Sequence, residues 1–197
     1  MEKYKFTGET KTIYLPFGTV TLHRIKAVVE FGLVKVGDLG GWIEKEENLS
    51  HEENAWVYGD AEVCGNAKVY GNAKVCGNAK VYGDAEVYGD AKVYGDAEVR
   101  GNAWVCGNAK VYGNAKVFST DHVLVIGAIG SRNDFTTFFR DKDNEITVKC
   151  GCFLGKIDKF LEKVTQTHKD TKHALVYRAA VEVAKLQIDL TEKSTRR

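Results

Sequence analysis

From residue 54 onward, small and branched apolar residues alternate with polar ones on a beat of six. Ala recurs every sixth residue from Ala55 to Ala115, Val from Val57 to Val117 and Gly from Gly59 to Gly113. The residue before each Ala is Asn or Asp, from Asn54 to Asn114. Residues 54–119 are thus eleven uninterrupted copies of Asn/Asp-Ala-x-Val-x-Gly, the last with Ser119 in the Gly place. Ala and Val stand two apart, so an extended strand points both to one side and the x residues to the other. Gly followed by Asn or Asp accepts positive φ at low cost, so each copy ends in a corner. An amphipathic helix needs an apolar period of 3.6, and a strict period of six with Gly in every copy contradicts it. The pattern predicts a solenoid of short, stacked parallel strands with Ala and Val inside.

The flanks read differently. Ile43 and Leu49 are in phase with Ala55, and Gly40-Gly41-Trp42 resembles a corner, so residues 37–53 read as a degenerate first coil. Residues 1–36 hold two β-like stretches, Thr12–Leu15 and Thr19–Ile25, joined at Pro16-Phe17-Gly18. A hairpin capping the open solenoid end is the economical expectation, because an uncovered end is an exposed edge. Beyond Phe118 the repeat stops. His122–Ile129, Phe135–Arg140 and Ile146–Phe153 are strand-like, with a turn at Asp141–Asn144. Ile157, Phe160, Leu161 and Val164 then give the i, i+3, i+4, i+7 spacing of an amphipathic helix, and a second helix is expected over 172–188. Three units follow: an N-terminal β cap (1–36), the repeat (37–119) and a C-terminal α+β module of order β3α2 (120–197) with a basic tail, Arg196-Arg197.

Composition narrows the function. A net charge of +1 argues against a nucleic-acid module built on phosphate neutralisation. No apolar run of about 18 residues or more predicts a membrane helix, and Met1–Gly8 has no signal-peptide pattern. Five cysteines, an odd number, fit a reduced, cytoplasmic setting. The C-terminal unit carries the positive excess, with 14 Lys+Arg against 11 Asp+Glu.

The run Val57-Tyr58-Gly59-Asp60-Ala61-Glu62 resembles the hexapeptide repeat of left-handed parallel β-helices. That resemblance implies a triangular prism with three hexapeptides, eighteen residues, per coil, and a left-handed sense that generic crossover rules would not favour. The chain departs from the family by placing Tyr or Cys at the second position. The expected fold is therefore mainly β: a left-handed parallel β-helix with an N-terminal β cap and a small C-terminal α+β module. Leu39-Gly40-Gly41-Trp42-Ile43, the Tyr-Gly-Asn-Ala-Lys repeats, Ile129-Gly130-Ser131-Arg132 and Cys150-Gly151-Cys152-Phe153 resemble uncharacterised, polymer-forming-type repeat proteins of Gram-positive bacteria and their phages.

A coil of eighteen residues sets columns of outward residues. Positions 62, 80, 98 and 116 read Glu, Lys, Glu, Lys, and 60, 78, 96 and 114 read Asp, Asn, Asp, Asn. A second column, Trp56, Lys74, Lys92 and Lys110, is a mild basic stripe, otherwise a solvated face. Tyr58, Tyr70, Tyr82, Tyr88, Tyr94 and Tyr112 are the candidate oligomer or partner surface, for a trimer of the kind usual among hexapeptide proteins or for a host protein. They serve equally as a sheet cover. Cys64, Cys76 and Cys106 fall on three faces and cannot pair within one prism.

Hexapeptide acyltransferases and nucleotidyltransferases use a general-base His near a coil edge, often beside a protruding loop. Residues 54–119 contain no His and no insertion; His51 alone lies at the margin of the prism, and His23, His122, His168 and His173 are scattered rather than grouped as zinc requires. No enzymatic activity, cofactor or metal is expected, and a transferase relative is the lesser alternative. Cys150 and Cys152, one residue apart on a strand, read as core thiols. The candidate ligand site is a Gly-rich turn with Ser131, Arg132 and Asn133, followed by Thr136, Thr137 and Arg140. It suits a small anionic ligand such as a nucleotide, or is an ordinary hairpin turn. The expected function is a non-enzymatic binding protein of phage or prophage type that engages a host protein or sequesters a nucleotide signal of host defence. A self-associating scaffold is the alternative.

Overall fold

The computed structural model describes residues 2–16 and 18–191. Phe17 at the expected hairpin turn and the basic tail Arg196-Arg197 lie outside the described residues. The chain opens with β1 (Tyr4–Leu15), β2 (Gly18–Ala27) and β3 (Leu39–Ile43). The repeat supplies β4 (Trp56–Val57), β5 (Glu62–Val63), β6 (Lys68–Val69), β7 (Lys74–Gly77), β8 (Lys80–Val81) and β9 (Glu86–Val87). It continues with β10 (Lys92–Gly95), β11 (Glu98–Val99), β12 (Trp104–Val105), β13 (Lys110–Val111) and β14 (Lys116–Val117). The C-terminal elements are β15 (Val123–Ile129), β16 (Asp134–Arg140), β17 (Ile146–Cys150), β18 (Phe153–Lys156), α1 (Ile157–His168) and α2 (Lys172–Gln187).

The repeat forms a β-solenoid of about four turns whose parallel strands stack in three sheets. Lysines mark the first face, β4-β7-β10-β13. The second carries β5-β8-β11-β14, and the third β6-β9-β12. Pairing follows the eighteen-residue register, with Glu62 opposite Lys80, Val63 opposite Val81, and Lys74 opposite Lys92. Every Ala and Val of the beat is buried, and together they form one continuous core. Each Gly of the beat, from Gly59 to Gly113, turns its corner at positive φ, from +61° to +85°.

The first coil departs from the expected phase. Ile43 pairs with Val63 and Leu49 with Val69, so both occupy Val positions rather than Ala positions. Two extra residues are taken up in the Ser50–Asn54 corner, where Glu53 adopts φ 53°.

The N-terminal hairpin is longer than the short alternating stretches suggest, and it does two jobs. Its base, with the loop after it, closes the solenoid end through Tyr4, Ile25, Ala27, Phe31 and Val34. The buried Lys3 ammonium donates to the Ala55 carbonyl at 2.8 Å, and desolvation lowers its pKa to about 8. The hairpin also joins the second sheet through β2 and β3, and Ile13, Leu15, Val20 and Leu22 lie over Cys64 and Tyr82.

The C-terminal unit is an antiparallel meander, β15-β16-β17-β18, followed by two helices. The order is β4α2, correcting the expected β3α2. The stretch Ile146–Phe153 is not one strand: Gly151 at φ +53° breaks it, and Cys150 pairs with Phe153 across the turn. The first helix spans the expected segment, and the second ends at Gln187. One sheet face packs on the helices through Phe138, Val148, Phe160 and Val181. The other seals the last coil: Phe139, Val123 and Val125 join the solenoid core, and Lys142 N donates to the Asn114 carbonyl at 3.1 Å. Among the described residues, no helix is long and apolar enough to cross a membrane.

Candidate functional site

Two turns of the meander lie side by side at one end of the sheet, because Ile129 pairs with Asp134 while Cys150 pairs with both Thr136 and Phe153. The end of α1 and the side of α2 close over them. The result is a cleft of about 230 Å³ lined by Ser131, Arg132, Cys152, His168 and Tyr177, with Asp134, Cys150, Gly151 and Thr167 completing its wall.

Local chemistry explains this convergence. Gly130 turns at φ +74°, and a Cβ there would sit 1.8 Å from the Tyr177 hydroxyl. Only glycine lets that hydroxyl reach the turn. A Cβ on Gly151 would lie 3.3 Å from the Arg132 guanidinium, which therefore passes over the second turn. Thr136 donates its hydroxyl to Cys150 Sγ at 3.3 Å, and that sulfur lies 3.8 Å from the Tyr177 oxygen. Burial and the neighbouring Cys150 push the Tyr177 phenol up to about 12, so it stays protonated and can donate. The His168 ring is 5.7 Å from the Tyr177 ring. Asp134 is held below the usual carboxylate range by the Phe135 amide first, and then by Lys110 and Arg132. The cleft thus offers a guanidinium, a hydroxyl, an imidazole and a phenol, with two free thiols in its wall. Such a donor set suits a small anionic group.

The six expected ligand residues do not stay together. Ser131 and Arg132 line the cleft, and Asn133 shapes the turn at φ +51°. Thr136 is fully buried and acts on the cleft only by holding Cys150. Its neighbour Thr137 faces the opposite way and accepts the Lys110 N–H at 2.9 Å, which docks the sheet on the solenoid. Arg140 ends β16, about 20 Å from Asp134 at strand rise. It is 8% exposed, bonded through Nε to Asn144 at 2.5 Å and laid over Phe118. Cys152 is exposed in a turn, which corrects its expected place in the core. His168 and Tyr177, on the helices, carried no spacing signal. Gly130, Ser131 and Arg132 are the parts of the cleft that the sequence marked as a site; the Cys150-Gly151-Cys152 run was visible as a motif but read as core.

The tyrosines also divide. Tyr58, Tyr94 and Tyr112 stand on the first face, and Tyr70 and Tyr88 stack on the third with ring centres 4.8 Å apart. Tyr82 on the second face is buried beneath the chain's own hairpin. They form no single partner surface. Among the described residues, no group of three or more His, Cys, Asp or Glu side chains is arranged to hold a metal.

No model of a known protein family matches the chain. A stretch of 62 residues is 39% identical to the uncharacterized acetyltransferase YdcK of Escherichia coli (strain K12), covering 29% of this chain and 19% of the relative. The chain therefore matches about a fifth of that protein's length.

Proposed function

We propose that this protein is a non-enzymatic binding protein in which a rigid, doubly capped β-solenoid carries a recognition cleft for a small anionic group. The observation that carries the reading is the convergence of Arg132, Ser131, His168 and Tyr177 on one cleft of about 230 Å³. This is below the roughly 300 Å³ at which drug-sized ligand pockets begin. The cleft therefore suits the phosphate or carboxylate end of a nucleotide rather than the whole molecule. The resemblance to phage-type repeat proteins supports a host nucleotide signal or a host protein bearing such a group as the ligand. Calorimetry of the full chain against inorganic phosphate and a panel of cyclic and linear nucleotides tests it. At least one member binds, and Arg132→Ala weakens that binding by about tenfold, the equivalent of 1.4 kcal/mol. The melting temperature should not change, because Arg132 is exposed. No heat from any member overturns the reading.

A second reading, a hexapeptide acetyltransferase relative, is favoured by the match to YdcK. Acetyl-CoA binding with acyl transfer to a small amine would support it and displace the first reading. Self-association is the third. It would rest on the third face, where Trp104 is 52% exposed below the Tyr70–Tyr88 stack.

A further inference from the structure

The three faces of the solenoid treat charge differently. On the second face the outward column runs Glu62, Lys80, Glu98, Lys116, and neighbouring rungs pair: Lys80 lies 3.3 Å from Glu62, and Lys116 contacts Glu98. Third-face rungs run Lys68, Glu86, Trp104. The first face alone stacks like charge, with Lys74, Lys92 and Lys110 in direct register after Trp56. Parallel rungs stand about 4.8 Å apart, and like charges directly opposite one another across a sheet destabilise it. Among the described residues, Lys74 and Lys92 make no ion pair. Lys110 has only Asp134, 3.7 Å away.

Beside this column runs a groove of about 520 Å³, more than twice the C-terminal cleft. Its floor is a row of corner side chains that satisfy one another: Asn54 donates to Asn72 at 2.8 Å, and Asn72 donates to Asp90 at 3.1 Å. The amide hydrogens of Asn54 and Asn72 are thus turned along the row, and the groove's cations are the ammonium groups of Lys74, Lys92 and Lys110, the last of them beside Asp134. Among the described residues, Asp90 is the one carboxylate lining it. At the N-terminal end the groove meets Tyr58 and the exposed Leu33.

We propose that the Lys74–Lys92–Lys110 column and its groove form a second binding site, distinct from the Arg132 cleft, for an oligophosphate chain lying along the solenoid axis. A run of covalently linked phosphates supplies closely spaced negative charge to three stacked ammonium groups. It thereby removes the repulsion that the other two faces avoid by alternation or by an aromatic rung. A single phosphate cannot span the column, so affinity grows with chain length. The same chemistry could come from free oligophosphate or from a nucleoside triphosphate whose base rests on Tyr58 and Leu33.

The test is calorimetry of the full chain at low salt with phosphate, pyrophosphate, tripolyphosphate and ATP. Tripolyphosphate should bind at least about tenfold more tightly than phosphate and weaken as salt rises. ATP binding more tightly than tripolyphosphate identifies a nucleotide as the source, and equal binding identifies free oligophosphate. Lys92→Glu should abolish binding. It should also melt no lower than the parent, because it rebuilds on this face the Lys-Glu-Lys ladder of the second. Lys163→Glu, the same charge change on exposed α1, should retain binding. Absence of tripolyphosphate and ATP binding overturns the proposal, as does binding that survives Lys92→Glu. Binding lost in Arg132→Ala but kept in Lys92→Glu also overturns it, and that result leaves the C-terminal cleft standing.

Discussion

At the scale of single residues, the corner glycines show most directly how composition becomes shape. Gly71 sits at φ +71°, and a Cβ added to it would lie 2.9 Å from the backbone nitrogen of Gly89 in the next coil. Both the backbone conformation and the stacking distance therefore require glycine. Gly71→Ala should lower unfolding free energy by about 1–3 kcal/mol, the usual cost of holding a non-glycine residue in the left-handed region, as read by urea denaturation. A loss under about 0.5 kcal/mol, the scale of a neutral surface change, would mean that the corners relax freely between coils. This requirement was legible in the sequence, because a glycine at every sixth residue marks a left-handed corner that returns with the same spacing. The exposure of Cys152 was not legible: alternation along Ile146–Phe153 suggested one strand, and the break depends on Gly151 turning to let β18 pair back on β17.

Among the elements, the C-terminal meander depends on Asp141, a carboxylate that is 2% exposed. Burial by itself would raise its pKa. Lys156 at 2.6 Å, the Thr147 hydroxyl at 2.5 Å and the Glu145 and Asp143 amides outweigh that and hold it below the usual carboxylate range. A carboxyl whose folded-state pKa is depressed stabilises the fold fully above its unfolded pKa, and this contribution is lost as pH falls through the folded value. The meander should therefore loosen below about pH 4, seen as faster amide exchange in β16 and β17, while the repeat keeps its protection. Asp141→Asn should cost about 2 kcal/mol at neutral pH, the scale of a hydrogen bond to a charged group, and should flatten that acid dependence. An unchanged acid profile in the variant would remove Asp141 as its cause. The sequence marked 141–144 as a turn, but Thr147 and Lys156 reach Asp141 only because β17 and β18 fold back beside it.

For the whole molecule, the register of eighteen makes each coil a removable unit. Excision of residues 72–89 takes out one coil and leaves the inward beat and both caps in place. That variant should fold and melt cooperatively at a lower temperature, because the number of stacked interfaces falls by one. Excision of residues 72–80 breaks the beat of six and turns Val side chains outward, and should give no cooperative melt by circular dichroism. If both variants melted alike, the register would not be what holds the column together. The same scale decides which surfaces are open. Tyr82 and Tyr94 occupy the same place in their repeats, yet the N-terminal hairpin covers Tyr82 and leaves Tyr94 exposed.

The beat of six determined the solenoid, its corners and its Ala-Val core, because each depends only on spacing and side-chain size; with the eighteen-residue coil that the hexapeptide resemblance implies, it also set the column in which each outward residue stands. It also determined the alternating charges of the second face and the unbroken lysines of the first. Tertiary structure alone decided which outward residues meet something else. The hairpin lay down on one face, the first coil absorbed two extra residues at a corner, and two turns met two helices around Arg132 and Tyr177. Those outcomes join residues far apart in the chain, through packing and hydrogen bonds that exist only once the strands have paired. Local spacing carries no information about them.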